Sequence, residues 1–218
     1  MEMKFKAVLF DLDGTLLDTL EDLADSTNDV LQEYGFPAHP VDAYRYFIGD
    51  GFYKLIERAL PEDRREEKII HEAVARLDQV YGERWSVKSK PYDGIPELLD
   101  RLAEHRLKMA ILSNKPDDAT REVVAHFLSR WDFETVLGAR PGVPNKPDPA
   151  AALEIVDALK LNPQDFLYVG DTMIDMRTAV SANMFAAGAL WGFREVGELI
   201  EGGARMLIRR PRDLLAWF

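Results

Sequence analysis

Several short segments of the chain are apolar at every position, and each is followed by polar residues. A strand that is apolar at both alternating positions is typical of a parallel sheet with both faces covered. The pattern predicts four buried strands and a weaker fifth, at Ala7–Phe10, Lys108–Leu112, Phe166–Val169 and Phe185–Leu190, with Thr135–Leu137 as the weaker one.

Amphipathic segments of helical length lie between these strands, at residues 94–105, 116–129, 148–160 and 172–181. Alternating strands and helices indicate βαβ units, so the predicted fold is α/β, with a Rossmann-like parallel sheet core flanked by helices. In such open sheets the ligand binds outside the carboxyl ends of the strands. Functional side chains are therefore expected directly after the strands.

Residues 18–88 interrupt the alternation directly after the first strand. This stretch is too long for an unstructured loop in a compact domain, and helical patterns continue through 41–60 and 62–82 before a return linker at 86–93. The sequence therefore predicts an all-α unit at 18–88, inserted into a core domain that consists of residues 1–17 and 89–218.

The first helix of this insertion has recognisable ends. Asp18 followed by Glu21 resembles a capping box that opens a helix toward Tyr34, and Gly35 is placed to end it. Asp18 is therefore interpreted as a helix cap.

The first strand runs directly into two carboxylates, Asp11 and Asp13, in the stretch VLFDLDGTLLD. Asp11 lies at or near the core, where an unpaired carboxylate is costly and two carboxylates repel each other. The stretch is therefore either a solvated turn or a place where something positive belongs.

Polar side chains follow other strands as well. Ser113 and Asn114 precede a predicted helix, whose free backbone N–H groups favour an anion, although either residue could simply cap that helix. Lys146 lies between prolines ahead of another helix, where a lysine is usually solvated. Asp171 and Asp175 follow a further strand, and taken singly they are explained by helix capping.

Parallel topology would bring all of these residues to one edge of the sheet. Carboxylates in such number need a hard cation, and oxygen ligands without histidine or cysteine point to Mg²⁺. A hydroxyl, an amide, a lysine and a helix N-terminus supply donors for phosphate oxygens. The combination predicts a magnesium and phosphate site.

Composition narrows the range of partners. The chain has 218 residues, a formal net charge of -11 and no cysteine, which excludes disulfides, thiolate metal sites and cysteine nucleophiles. The acidic balance argues against nucleic acid and anionic membranes, and an anionic substrate would require local cations or backbone dipoles. The N-terminal run MEMKFKAVLF is too short for a signal peptide, and no stretch approaches a membrane span. We expect a cytoplasmic monomer or homodimer.

The motifs together resemble the haloacid dehalogenase superfamily of phosphohydrolases. DLDGTLLD is similar to the first motif of that superfamily, the Ser-Asn pair at 113–114 to the second, and Lys146 with GDTMID to the third and fourth. The resemblance implies that Asp11 is the nucleophile, which forms an aspartyl-phosphate, and that Asp13 is the general acid and base. An acid at position 13 favours phosphate chemistry, because the dehalogenases lack one there.

The resemblance also implies a ligand set. Asp11, the backbone carbonyl of Asp13 and Asp171 are expected to hold Mg²⁺, with Asp175 orienting the metal site. The residues expected at the phosphoryl group are Ser113, Asn114 and Lys146, while Gly14 permits the sharp exit from the strand and Thr15 assists Asp13.

The all-α unit is then expected to be a mobile cap that selects the substrate. Its stretch YRYFIGDGFYKLIERAL (44–60), together with WGFRE (191–195), is similar to phosphoglycolate phosphatases, which implies 2-phosphoglycolate as the substrate. Arg45 is the candidate cation for the substrate carboxylate. Gly49 and Gly51 are expected to form a tight loop over the site, and a simple turn between helices is the alternative.

Other functions of the superfamily remain as alternatives. A β-phosphoglucomutase-type isomerase would need cap residues for a sugar phosphate, and no arginine-rich loop follows Gly49. A phosphonatase needs a cap lysine, for which only Lys54 or Lys68 is available. An inorganic pyrophosphatase stays open, and a non-catalytic phosphate-binding protein is disfavoured because no motif residue is missing.

Overall fold

The computed structural model describes residues 5–218. The chain forms two compact units: one contains the described residues up to Leu17 together with Pro91–Phe218, and the other is Asp18–Lys90. Residues 1–4, with which the predicted core domain and the run MEMKFKAVLF begin, lie outside the described residues. The assignment of the units as catalytic core and cap stays a prediction.

Strands and helices alternate through most of the first unit. The strands are β1 (Ala7–Phe10), β2 (Leu17–Asp18), β3 (Lys90–Pro91), β4 (Lys108–Pro116), β5 (Thr135–Ala139), β6 (Phe166–Gly170), β7 (Phe185–Ala189) and β8 (Met206–Ile208). The α-helices are α1 (Leu20–Glu33), α2 (Tyr44–Phe47), α3 (Phe52–Ala59), α4 (Glu67–Arg84), α5 (Ile95–Glu104), α6 (Asp117–Phe127), α7 (Ala150–Leu159), α8 (Met173–Ser181) and α9 (Val196–Gly202).

The first unit is built on a six-stranded sheet with the order β5-β4-β1-β6-β7-β8. Its strand pairs are parallel, and Phe10 at the end of β1 lies opposite Ile111 of β4 and Val169 of β6. The four residues of β1 are fully buried, as expected for a strand covered on both faces. This register places the residues directly after β1 beside the last part of β4 and the end of β6, at one edge of the sheet.

The predicted α/β fold with a Rossmann-like parallel sheet is confirmed, and all five predicted strands are present. Strand β8 was not predicted, because three residues are too few to show a strand pattern. Helix α9, which has seven residues, was not predicted either. Strands β2 and β3 pair with each other at the points where the chain passes between the two units. They were not predicted, because each has only two residues.

The second unit is helical, and its helices differ from the prediction in their bounds. The pattern at 41–60 is not one helix: a 3₁₀ turn and α2 end at Phe47, and α3 begins at Phe52. Gly49 and Gly51 between them have φ values of +123° and +83°, which no α-helix contains. Gly49 and Gly51 therefore form the turn between α2 and α3, and a loop over the site stays a prediction.

Helix α1 does not begin with the predicted capping box. Thr19 occupies the N-cap position without a side-chain cap bond, and Asp18 lies one residue earlier, where its Oδ1 accepts the Leu20 N–H at 3.4 Å. The predicted end is confirmed, since α1 stops at Glu33 and Gly35 follows with a φ of +75°.

Of the helices that the structure describes, none has the length and apolar character needed to cross a membrane.

Candidate active site

Two carboxylates, those of Asp11 and Asp13, follow β1, and each is bound by a different buried lysine. The ammonium Nζ of Lys146 donates to Asp11 Oδ1 at 2.7 Å, and that of Lys115 donates to Asp13 Oδ1 at 2.7 Å. The lysine side chains are only 3% and 2% exposed. The alternative of a solvated turn is therefore wrong for this stretch.

Lys146 contacts two of the acidic residues at this edge of the sheet, Asp11 and Asp175. Its Nζ also donates to Asp175 Oδ1 at 2.6 Å and to the carbonyl of Leu112 at 3.1 Å, so it is not the solvated turn lysine of the alternative interpretation. Burial alone would lower the pKa of Lys146, but Asp11 and Asp175 raise it well above its ordinary value. Lys146 is thus a fixed positive charge between two acids.

Three carboxylates, those of Asp11, Asp171 and Asp175, converge next to this lysine. One oxygen of each lies within 4.8 Å of the others, and all three residues are buried. Burial and the neighbouring carboxylate of Asp175 raise the pKa of Asp11 well above its ordinary value, although Lys146 opposes this shift. The pKa of Asp171 rises to about 7, chiefly through burial and Asp175.

Such a cluster fits a divalent cation, because crowded buried carboxylates ionise only when a positive charge compensates them. The ligand atoms are all oxygens, which suits a hard ion such as Mg²⁺. Among the described residues, the carboxylate of Asp13 is not part of the group. The metal contact of Asp13 through its backbone carbonyl stays a prediction.

Asp171 is held by residues from two other parts of the chain. Thr15 Oγ1 donates to its Oδ1 at 2.9 Å and the Phe193 N–H to its Oδ2 at 2.7 Å, while the Trp191 indole N–H binds the Thr15 carbonyl at 2.9 Å. Thr15 therefore supports Asp171, whereas the sequence analysis expected it to assist Asp13. Gly14, with a φ of +89°, makes the predicted sharp exit from the strand.

Asp175 has a structural task as well as a place in the cluster. It closes a capping box at the start of α8, where the Thr172 N–H and hydroxyl donate to its Oδ2 at 3.1 and 2.7 Å. Since its Oδ1 accepts from Lys146, both of its oxygens have protein donors. This arrangement suits the orienting role expected for Asp175.

Ser113 and Asn114 are buried in the last part of β4. The side-chain amide of Asn114 makes two hydrogen bonds with the backbone of Lys146. Its Nδ2 donates to the Lys146 carbonyl at 3.1 Å, and its Oδ1 accepts the Lys146 N–H at 2.9 Å. Ser113 Oγ accepts the Lys115 N–H at 3.1 Å. Neither residue caps α6, which begins at Asp117 after Pro116, so that alternative is wrong. Their contact with phosphate stays a prediction.

The remaining candidates, Arg45 and Gly49, belong to the helical unit. The Nε of Arg45 donates to Asp42 Oδ1 at 3.3 Å, and its side chain is 39% exposed. Arg58, which the sequence analysis missed, fixes the segment around Gly49 by binding the Phe47 carbonyl at 3.0 Å and the carboxylate of Asp50. A role for Arg45 and Gly49 in substrate binding stays a prediction.

Two groups of residues next to the carboxylates were not predicted from the sequence. Lys115 was overlooked because a lysine after a strand is usually solvated. Gly192 and Phe193 lie in the WGFRE segment, which was singled out for its resemblance alone. A methyl group on Gly192 would lie 2.2 Å from Asp171 Cβ and 2.4 Å from the Gly14 carbonyl oxygen, so the segment packs directly against the site.

Comparison with known proteins agrees with this geometry. The family model for haloacid dehalogenase-like hydrolases matches residues 8–189. A phosphoglycolate phosphatase of Aquifex aeolicus is 31% identical over 210 residues, which cover 96% of this chain and 95% of that protein. A phosphoglycolate phosphatase of Psychrobacter arcticus is 31% identical over 197 residues, covering 88% and 86%.

Solved structures of haloacid dehalogenase-like and phosphoglycolate phosphatase-like proteins resemble this fold. A crystal structure from Haemophilus somnus, described as a predicted phosphoglycolate phosphatase, has a TM-score of 0.90 and 26% identity and covers 99% of each chain. A haloacid dehalogenase-like hydrolase from Streptococcus pneumoniae shares the fold, with a TM-score of 0.88 at 23% identity over 99% of each chain. The motifs occur in order, the carboxylates lie together at one edge of the sheet, and the family model matches most of this chain. This chain therefore belongs to the haloacid dehalogenase-like hydrolases.

Proposed function

We propose that the protein is a Mg²⁺-dependent phosphomonoester hydrolase that works through an aspartyl-phosphate and takes 2-phosphoglycolate as its substrate. The observation that carries this proposal is the arrangement around β1. Asp11 lies in the carboxylate group with Asp171 and Asp175, while Asp13, two residues on, is bound separately to Lys115. This separation supports the proposal that Asp11 bonds to phosphorus and that Asp13 moves a proton.

In the first step a carboxylate oxygen of Asp11 attacks phosphorus, and the bond between phosphorus and the ester oxygen breaks. Asp13 gives its proton to the departing alkoxide, so the product leaves as an alcohol. Lys146, which touches Asp11 Oδ1, opposes the repulsion between this carboxylate and the incoming phosphate.

In the second step a water molecule attacks the phosphorus of the aspartyl-phosphate, and Asp13 takes the proton of that water. The bond between phosphorus and the Asp11 oxygen breaks, which releases inorganic phosphate and restores the carboxylate. Bound to Asp11, Asp171 and the Asp13 carbonyl, Mg²⁺ would supply positive charge for the phosphoryl oxygens. Ser113 and Asn114 are the candidate donors to the same oxygens.

The proposed substrate rests on the relatives named above and on the resemblance of the 44–60 and 191–195 segments. We further assign substrate selection to the helical unit, with Arg45 and Gly49 as its candidate residues. The charge of -11 argues against a nucleic acid as the partner. A cytoplasmic location, and a monomeric or homodimeric state, complete the proposal.

A Mg²⁺-supplemented phosphatase screen tests the proposal. It should contain 2-phosphoglycolate, inorganic pyrophosphate, hexose phosphates and nucleotides, with a separate assay for isomerisation of β-glucose-1-phosphate. We expect the highest kcat/KM with 2-phosphoglycolate and loss of activity with EDTA. Preference for pyrophosphate, or isomerisation of the sugar phosphate, would replace the proposed substrate.

The nucleophile is tested by Asp11→Asn, for which we expect a loss in kcat of about three orders of magnitude or more. Asp18→Asn is the matched control, because it makes the same chemical change seven residues away at the helix start and should retain activity. Turnover of Asp11→Asn within tenfold of the wild type would show that Asp11 is not the nucleophile.

A further inference from the structure

Lys115 has no role in the scheme above, yet it is one of the most completely buried charges in the first unit. Its side chain is 2% exposed, and its Nζ donates to Asp13 Oδ1 at 2.7 Å across 102 residues of sequence. An unpaired ammonium at such a site would cost several kcal/mol. The pairing with Asp13 therefore accounts for how the chain tolerates this lysine.

The backbone of Lys115 is also fixed. Its N–H donates to Ser113 Oγ at 3.1 Å, and its carbonyl accepts from Thr120 Oγ1 at 3.1 Å. Lys115 lies within β4, one residue before the strand ends at Pro116. The amine is thus presented to Asp13 from a rigid strand and not from a loop.

Relative burial distinguishes two possible roles for the amine. A lysine that binds substrate should be the more exposed partner of such a pair. Here the order is reversed, since the Asp13 side chain is 12% exposed and that of Lys115 only 2%. Lys115 is the more buried partner of the pair, which suits support of the Asp13 carboxylate.

The two acids therefore have separate supports. Lys146 holds Asp11 at 2.7 Å and Lys115 holds Asp13 at 2.7 Å. Lys146 also contacts Asp175, which ties it to the carboxylate group, whereas the Nζ of Lys115 is bound to an acid outside that group. Removal of Lys115 should consequently affect proton transfer more than metal binding.

We propose that Lys115 is a positioning residue that holds the Asp13 carboxyl group in place for both proton transfers. The inference rests on the proposed function, in which Asp13 protonates the leaving oxygen and later takes a proton from water. Lys115 keeps its own protons throughout, and its ammonium fixes the direction from which Asp13 reaches the ester oxygen. Displacement of a reacting group by about 1 Å can lower a rate by about 10²-fold.

The test compares Lys115→Met with the wild type on two substrates, 2-phosphoglycolate and p-nitrophenyl phosphate. The parameter is kcat/KM, which reports the steps up to departure of the leaving group. Alkoxide departure from 2-phosphoglycolate needs a proton, whereas p-nitrophenolate leaves readily without one. We expect kcat/KM to fall by about 10²-fold for 2-phosphoglycolate and by less than about 5-fold for p-nitrophenyl phosphate.

Lys108→Met is the matched control. It removes the same charge from the same strand, about 23 Å away at a rise of about 3.3 Å per residue, and should leave the ratio of the two kcat/KM values unchanged. Mg²⁺ affinity, measured by isothermal titration calorimetry, should stay within about twofold of the wild type in Lys115→Met. If this variant does not fold, Lys115→Gln replaces it, since glutamine keeps a hydrogen-bond donor.

A double-variant cycle shows whether Lys115 acts through Asp13. Adding Lys115→Met to Asp13→Asn should cause no further loss in kcat/KM for 2-phosphoglycolate, because the group being positioned is already absent. Equal losses on both substrates, additive losses in the double variant, or a large drop in Mg²⁺ affinity would each overturn the inference. A wild type without Mg²⁺-dependent phosphatase activity would instead refute the proposed function.

Discussion

The substitution Gly192→Ala should disturb the carboxylate cluster without changing any charged residue. The added methyl carbon would lie 2.2 Å from Asp171 Cβ, 2.4 Å from the Gly14 carbonyl oxygen and 2.5 Å from Asp171 Oδ2. Non-bonded carbon atoms normally approach to about 3.5–4.0 Å, so atoms on one side must move by about 1 Å. The contacts involve backbone and a short, hydrogen-bonded side chain, and neither can easily give way.

Overpacking of this kind costs about 1–3 kcal/mol, which for a chain of this size lowers Tm by roughly 2–12 °C. Because Asp171 is displaced, Mg²⁺ affinity should fall as well, by about tenfold or more as for loss of a group that orients metal ligands. Gly197→Ala is the control: no atom lies within 4 Å of its added methyl group, and alanine favours helix α9 by about 0.5–1 kcal/mol. Calorimetric scanning and Mg²⁺ titration give both quantities, and wild-type values of Tm and affinity for Gly192→Ala would refute this account.

Two further predictions concern the pH dependence of the site and the glycine loop. The pKa of Asp171 is raised to about 7, so the folded metal-free protein holds a proton that the unfolded chain releases near pH 4, and stability should fall as pH rises from 5 to 8. Thermal unfolding in EDTA checks this, and Asp171→Asn should show a weaker pH dependence; equal slopes would contradict it. Gly49→Ala, at a φ of +123°, should change kcat/KM among phosphate esters more than it changes the Mg²⁺ constant, and a uniform loss across esters would argue against a role in selection.

The parallel sheet and the edge that carries the site were predictable because they depend on local pattern. Strand β1 is apolar at every position, and its burial follows from that alone. The turn at Gly14 could be predicted in the same way, since a glycine directly after the strand and its two acids indicates a sharp turn, and its φ is +89°. These features need no information about distant parts of the chain.

The buried polar residues of β4 show where this reasoning fails. The predicted strand stopped at Leu112, because a run of polar residues normally marks a strand end, yet β4 continues to Pro116. Asn114 and Lys115 are buried because each has a hydrogen-bond partner. These partners, Lys146 and Asp13, lie 32 and 102 residues away in sequence. A polar side chain is buried when a partner is present, and one sequence does not show which distant residues become neighbours. The hydrogen bond from Thr15 to Asp171 was not predicted for the same reason, since Asp171 is 156 residues away.

Charge gives the clearest connection between the whole chain and its site. A net charge of -11 opposes the approach of a phosphate ester, and the three clustered carboxylates add to this opposition locally. Lys146 offsets only part of the cluster, and Lys115 is occupied by Asp13. The protein side chains at this edge are therefore arranged to attract a cation first and a phosphate second. Under the proposed function, the metal would be needed to admit the substrate as well as to promote the reaction, which explains why an acidic protein of this family can act on an anion.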